Sequence, residues 1–220
     1  VIDASTLDVT YETRLLTHNR AIDVHPKSGA VSLTGTHAHN QVRFESNLKG
    51  RFLSMGEVLI DGDVVTHSDL NDHLSEFHPD PLGFGGVQAL PSVPDAPVPN
   101  RNEAVGDPRG VKWSPDGSFK AITGRGSNNV VCTDAAGNRV ALVEVGQGPT
   151  GVAFHPVRQR MFVLNQFDAS VSIIDTDQMV VVGGGTFFDP TPQVIKVGRP
   201  HFYNTHDNSA LGNVSCATCH

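Results

Sequence analysis

An all-β fold built from one repeated unit is predicted by three features of this 220-residue chain. The first is internal repetition: PRGVKWSPDG, beginning at Pro108, returns as PTGVAFHPVR at Pro149, an offset of 41 residues. The second is period-two alternation of apolar and polar residues within each copy, the mark of a half-buried strand. The third is composition: 22 Gly and 14 Pro against only 18% charged residues favour many short strands and tight turns. Four short strands in a unit of about 40 residues is the pattern of a β-propeller blade.

The elements follow in order within each copy. Val111-Lys112-Trp113 and Val152-Ala153-Phe154 read as first strands, each ended by a Pro-centred turn. Phe119–Thr123 and Met161–Leu164 supply the second strand. A Gly or Asn turn leads into Val130–Thr133 and Val171–Ile174, and an Asp-started turn into Val140–Val145 and Met179–Val182. The offset of 41 carries Gly110 onto Gly151, Trp113 onto Phe154, Pro115 onto Pro156 and Asp134 onto Asp175 without a gap. An earlier copy fits at an offset of 89: Ile22 onto Val111, Val24 onto Trp113, Pro26 onto Pro115, then Gly35 onto Gly124, Asn40 onto Asn129 and Glu45 onto Asp134.

Val1-Ile2-Asp3-Ala4-Ser5-Thr6 resembles Ile173-Ile174-Asp175-Thr176-Asp177, so the chain is expected to open in the third strand of a partial blade. A further blade is expected to begin after Val197, with almost no helix before about Asn204. Residues 1–203 are thus assigned to blades and 204–220 to a junction. Residues 67–106 interrupt the repeat; Pro91, Pro94, Pro97 and Pro99 keep that stretch extended, as a surface excursion between blades. The sequence opens on Val1 with neither an initiator Met nor a signal peptide pattern, and the chain is expected to be an internal portion of a longer precursor. The remaining blades are expected in the same chain or in a partner that closes the ring.

The last five residues, Cys216-Ala217-Thr218-Cys219-His220, spell CxxCH, the attachment motif of a c-type haem. On one helical turn, positions i, i+3 and i+4 share a face. Cys216 and Cys219 can then form thioethers with haem vinyl groups while His220 binds the iron. Two alternatives compete. A structural zinc site takes about four ligands, and Cys132 is the one further thiol. A redox CxxC belongs at the start of a helix after a buried strand, whereas Asn204 to Ser215 is polar and contains Gly212. Haem c is the preferred reading, and covalent attachment implies a periplasmic or extracellular protein. Cys132, flanked by Val130 and Val131, reads as a buried strand thiol.

These segments resemble a known family. GDPRGVKWSPDGSFKAITGRGSNNV and VLNQFDASVSIID resemble YVTN-type propeller repeats, with VLNQ at the place of the name motif. GRPHFYNTHDNSALGNVSCATCH is similar to the junction in bacterial proteins that join such a propeller to a cytochrome c domain, often of the di-haem cytochrome c peroxidase-like kind. The resemblance implies a secreted haem protein of electron-transfer or peroxidase type, with a redox partner protein or a small-molecule oxidant. It assigns roles to Cys216 and Cys219 (thioethers) and His220 (axial ligand), and places a helical cytochrome domain at the C-terminus. That domain would continue past CxxCH, where this chain stops. Two other functions stay open: a propeller acting as a non-catalytic binding module, and a lactonase-like hydrolase with acidic residues and a metal at the ring's centre.

Other candidates carry less. His37 and His39 form an HxH pair, but the aligned copy has Gly126 and Asn128 there, so a polar turn is expected. His67, His73 and His78, with Asp69, Asp72 and Asp80, match no standard metal spacing. His25 and His155 share one repeat position before a Pro and suit turn capping. Arg199, His201, Tyr203 and His206 precede the haem motif and either meet haem or finish the last blade. Of the thioethers, Met161 and Met179 fall in strand patterns and Met55 is the third. Asp61-Gly62-Asp63 is a tight turn lacking the rest of a calcium loop. The net charge of −7 gives no case for nucleic acid, and no run of 18 or more apolar residues is available to span a membrane.

Overall fold

The computed structural model describes residues 2–39, 53–74, 98–209 and 211–219. Among the described residues, twelve strands form three four-stranded antiparallel sheets. Blade A holds β1 (His18–Val24), β2 (Val31–Ala38), β3 (Leu53–Asp61) and β4 (Val64–Asp69). Blade B holds β5 (Pro108–Trp113), β6 (Lys120–Gly124), β7 (Asn129–Thr133) and β8 (Arg139–Glu144). Blade C holds β9 (Pro149–Phe154), β10 (Arg160–Asn165), β11 (Ser170–Asp175) and β12 (Val180–Thr186). In each, consecutive strands are neighbours, and the first strands β1, β5 and β9 lie side by side across the blades. This is propeller architecture, as the repeat predicts.

The repeat register is reproduced in hydrogen bonds. Val24 pairs with Val31, Trp113 with Lys120 and Phe154 with Met161. Arg20, Arg109 and Thr150, equivalent in the repeat, are each skipped in their ladders as β-bulges. Blade B is covered on both faces, so β6 and β7 alternate between two cores rather than between core and water. Ile122 and Val131 join Met55, Leu70 and Val111 on the side of blade A. Ala121, Val130 and Cys132 join Met161, Val163 and Ile174 on the side of blade C. All three methionines thus pack as core or against it, and Cys132 is the buried strand thiol expected.

Two expectations need correction. The third strand of blade A is Leu53–Asp61, not the segment from Asn40 to Glu45, which lies outside the described residues. Ile60 stands opposite Val31 as Thr133 stands opposite Lys120, so the offset falls from 89 in the first two strands to 73 in the third. A longer β2–β3 connection absorbs the difference of 16. The N-terminal segment keeps to the repeat: it bridges Ile2 with Val9, the equivalent of Ile174 with Val181 between β11 and β12. Its turn chemistry is that of the repeat: Asp3 Oδ1 accepts from Ser5 N and Thr6 N, as Asp175 Oδ1 does from Asp177 N and Gln178 N. The second correction lies at Val197, after which a blade was expected to begin. Helix α2 (Gln193–Tyr203) occupies that segment, following a short helix α1 (Val98–Asn102) in the excursion. The carbonyl of Pro192 accepts from Ile195 and Lys196, and Lys196 pairs with Asp189 at 2.8 Å, fixing the first turn as helical. Of the excursion's prolines, Pro91, Pro94 and Pro97 lie outside the described residues.

Blades A and B are joined at one polar seam inside apolar packing. The Trp113 indole N–H donates to Ser32 Oγ (2.9 Å), and its backbone N–H donates to Asp23 Oδ2 (2.7 Å). The His25 ring meets the indole edge-on, with centroids 4.6 Å apart. Lys120 and Glu57, with side chains 1% and 3% exposed, form an ion pair at 3.3 Å; Lys120 Nζ also lies 4.7 Å from the Trp113 ring. Thr133 Oγ1 donates to the other Glu57 oxygen at 3.0 Å.

Trp113 is 3% exposed, so Trp113→Ala should lower stability by about 3–5 kcal/mol in urea unfolding. Burial pushes the Glu57 carboxyl up, while the Lys120 ammonium pulls it down. Lys120→Met removes the counter-charge and should cost about 3–5 kcal/mol at neutral pH. The sign with pH is fixed: a carboxyl raised in the fold keeps its contribution below its unfolded pKa and loses it as pH rises through the folded value. The Lys120→Met deficit should therefore grow as pH rises above the ordinary carboxylate range. Adding Glu57→Leu should recover most of it.

Candidate functional site

The C-terminal segment closes one end of the blades instead of leaving them. Helix α3 (Thr205–Asn208) is capped by Asn204, whose side chain accepts from His206 N and Asp207 N. Thr205 N–H donates to Gly126 O, and the Thr205 side chain fills the space a Cβ on Gly106 or Gly126 would need. His206 Nε2 lies 3.0 Å from Ala104 O. Leu211 packs with Leu74 and Ala104, and Val214 enters the core between blades A and B.

This tail carries the CxxCH turn, α4 (Cys216–Cys219). Ser215 N–H donates to Thr218 Oγ1 at 2.9 Å while Thr218 N–H returns to Ser215 O, a reciprocal lock on the start of a helical turn. Ser215, Ala217 and Thr218 are buried, whereas Cys216 is an exposed free thiol. The turn is thus anchored by one side and presents the Cys216 side outward. Cys219 is the last residue of the turn, at the i+3 position required, and His220 lies outside the described residues. Helix α2 runs against α4. The turn as built fits haem attachment at Cys216: an uncommitted thiol on a fixed helical turn.

The remaining candidates are placed as follows. Arg199 and Tyr203 sit on α2 and line a recess with Arg125; His201 on the same helix is exposed. His25 Nδ1 accepts from Lys27 N and Ser28 N, and His155 Nδ1 from Val157 N and Arg158 N, which is the turn-capping role expected. His37 and His39 stack edge to face, with His39 Nε2 2.8 Å from Ser54 Oγ. His73 Nε2 meets Asn100 O, while His78 and Asp80 lie outside the described residues. Among the described residues no three His, Cys, Asp or Glu side chains converge as a metal site would require.

Sequence reasoning missed an arginine cluster at the tail-covered end. Asp107 is 1% exposed and holds two guanidinium groups. Arg109 Nε lies 3.0 Å from its Oδ1, and Arg125 Nη2 2.6 Å from its Oδ2. Asp107 has φ +50°, where its repeat equivalent Gly148 has φ +65°. An aspartate held in backbone territory that suits glycine points to its carboxylate as the reason. The signal was present in the alignment, as Asp107 facing Gly148.

Comparison with known proteins bears on the fold. No protein-family model and no curated protein matches the chain. Among solved structures, hydrazine synthase of Kuenenia stuttgartiensis is similar at a TM-score of 0.52 and 17% identity, over 72% of this chain and 45% of that one. The nidogen/laminin complex follows at 0.47 and 14% (78% and 48% covered), and apo AztD of Citrobacter koseri at 0.43 and 10% (82% and 38%). The chain spans less than half the length of each. The first likeness supports the propeller fold. No helix among the described residues is long and apolar enough to cross a membrane.

Burial pushes the Cys132 thiol up to about 12, and the thiolate is the reactive form. In haem-free folded protein, iodoacetamide at about pH 8 should label Cys216 and leave Cys132 untouched until denaturant is added. Peptide mass spectrometry reads both sites.

Proposed function

We propose that this chain is the propeller portion of a secreted c-type haem protein, serving electron transfer or peroxidase-like redox chemistry. The observation that carries the proposal is the locked CATC turn followed by His220, with Cys216 free and exposed at its first position. Cys216 and Cys219 would hold haem by thioethers and His220 would ligate iron; when bound, haem supplies the one-electron chemistry. The chain's own contribution is placement. Ser215 and Thr218 fix the turn, and Leu211 and Val214 tie it to blades A and B. The proposed haem therefore rides on the blades and not on a free linker, and a redox partner would meet the tail-bearing end of the propeller. A covalent cofactor of this type implies maturation in the periplasm or outside the cell.

The test uses the full-length natural protein matured in an oxidising compartment. Its haem should survive denaturation, and its alkaline pyridine spectrum should be of the two-thioether type. After unfolding, alkylation should reach Cys132 but neither Cys216 nor Cys219. Cys216→Ala should leave at most one thioether, and His220→Ala should change the axial-ligand bands while haem stays tethered. Mature protein without haem, with all three thiols open to alkylation, would overturn the proposal.

A further inference from the structure

A recess of about 60 Å³ opens at the same end, between the turns of blades B and C and the last turn of α2. A single water needs roughly 10–15 Å³, so the space suits a ligand of several heavy atoms. Arg125 and Arg199 line it with Asn128, Gln147, Phe167 and Tyr203, and no carboxylate is among the lining residues. The guanidinium groups are held in place from behind. Arg125 pairs with Asp107, and Arg199 donates to Phe167 O and Thr191 Oγ1. Their planes lie near aromatic faces, Arg125 5.0 Å from the Tyr203 centroid and Arg199 5.3 Å from that of Phe167. Such anchoring lowers the entropy lost on binding.

Charge accounting favours an anion. Behind the recess, Arg109 and Arg125 share Asp107, with Arg20 within electrostatic reach of all three and its Nε buried without a hydrogen-bond partner. Burial, and then repulsion from Arg109, holds Arg20 below the ordinary arginine value, with Arg125 adding to it and Asp107 opposing. Asp168 lies beside the rim but is engaged, its oxygens accepting from Gln147 N and Ser170 Oγ. Neutral donors are at hand: Asn128 commits Oδ1 to Gly148 N, which turns its amide nitrogen to other partners.

We infer that this recess is a binding site for a small oxyanion, a carboxylate or a phosphate, gripped by Arg125 and Arg199 with Gln147 at the rim. Paired guanidinium forks are the side chains best matched to such planar or tetrahedral oxygen sets. The inference is independent of haem.

The experiment titrates the full-length natural chain with inorganic phosphate and, separately, with acetate, holding ionic strength constant with chloride. Calorimetry should show saturable binding of at least one of the two. Phosphate alone points to phosphoryl ligands, acetate alone to carboxylates, and both to a general oxyanion site. Gln147→Glu places a like charge at the rim without touching the core, and should weaken binding at least about tenfold with an unchanged melting temperature. Arg199→Lys keeps the charge but loses the fork, and should weaken it less than Arg199→Gln. Heats no greater than those of chloride, or binding unaffected by Gln147→Glu and by Arg199→Gln, would overturn the inference.

Discussion

The seam at Trp113 is the constraint on which the rest of this structure depends. A propeller blade is hydrophobic on both faces and gains stability only when neighbours stack at a fixed angle. Apolar packing alone is non-directional. Between blades A and B direction comes from the indole bonded to Ser32, the backbone N–H bonded to Asp23, and the Lys120–Glu57 pair set into the interface. Together they fix the spacing of β1, β2 and β3 against β5 and β6. Between blades B and C the equivalent place is apolar: Phe119 meets Phe154 at 5.6 Å, and Met161 stands where Lys120 does. One seam is specified by polar bonds and the next by ring packing. The repeat supplies the geometry for both.

That fixed angle creates the end on which the tail rests. Gly106 and Gly126 leave room for Thr205, and the tail then threads Leu211 and Val214 into gaps at the blade A–B boundary. Asp107, in the same layer, gathers Arg109 and Arg125 at a backbone angle costly for any residue but glycine. The structured CATC turn and the arginine-lined recess both follow from this layer. Under the proposed function it joins a redox motif to a rigid scaffold, which would keep a partner's approach geometry constant.

The blades were legible because strand alternation and turn chemistry recur at one offset: Trp113 and Phe154, Pro115 and Pro156, Asp134 and Asp175. The reading slipped where an insertion broke the offset. Matching Asn40 to Asn129 extended a register that the β2–β3 connection had already lost, since the partner of Val31 is Ile60. It slipped again at α2, where a further blade was expected to begin after Val197 but Pro192 and the Asp189–Lys196 pair start a helix. The CATC turn was legible as a motif, but its docking was not. No periodicity announces that Thr205 fits beneath two glycines 79 and 99 residues earlier. The arginine cluster was hidden because bulges at Arg20 and Arg109 turn residues out of the alternation on which strand reading relies.

The central claim is that the CxxCH-bearing tail and the blades form one structural unit. Native-state hydrogen exchange on the full-length chain tests it most directly, at the Thr205 amide, which donates to Gly126 O, and at the Val214 amide, which donates to Ser209 Oγ. If the account is right, both exchange in step with the amides of β6 and β7, through the same cooperative opening and with the same response to denaturant. Exchange at the rate of an unstructured tail, with β6 and β7 still protected, would contradict it.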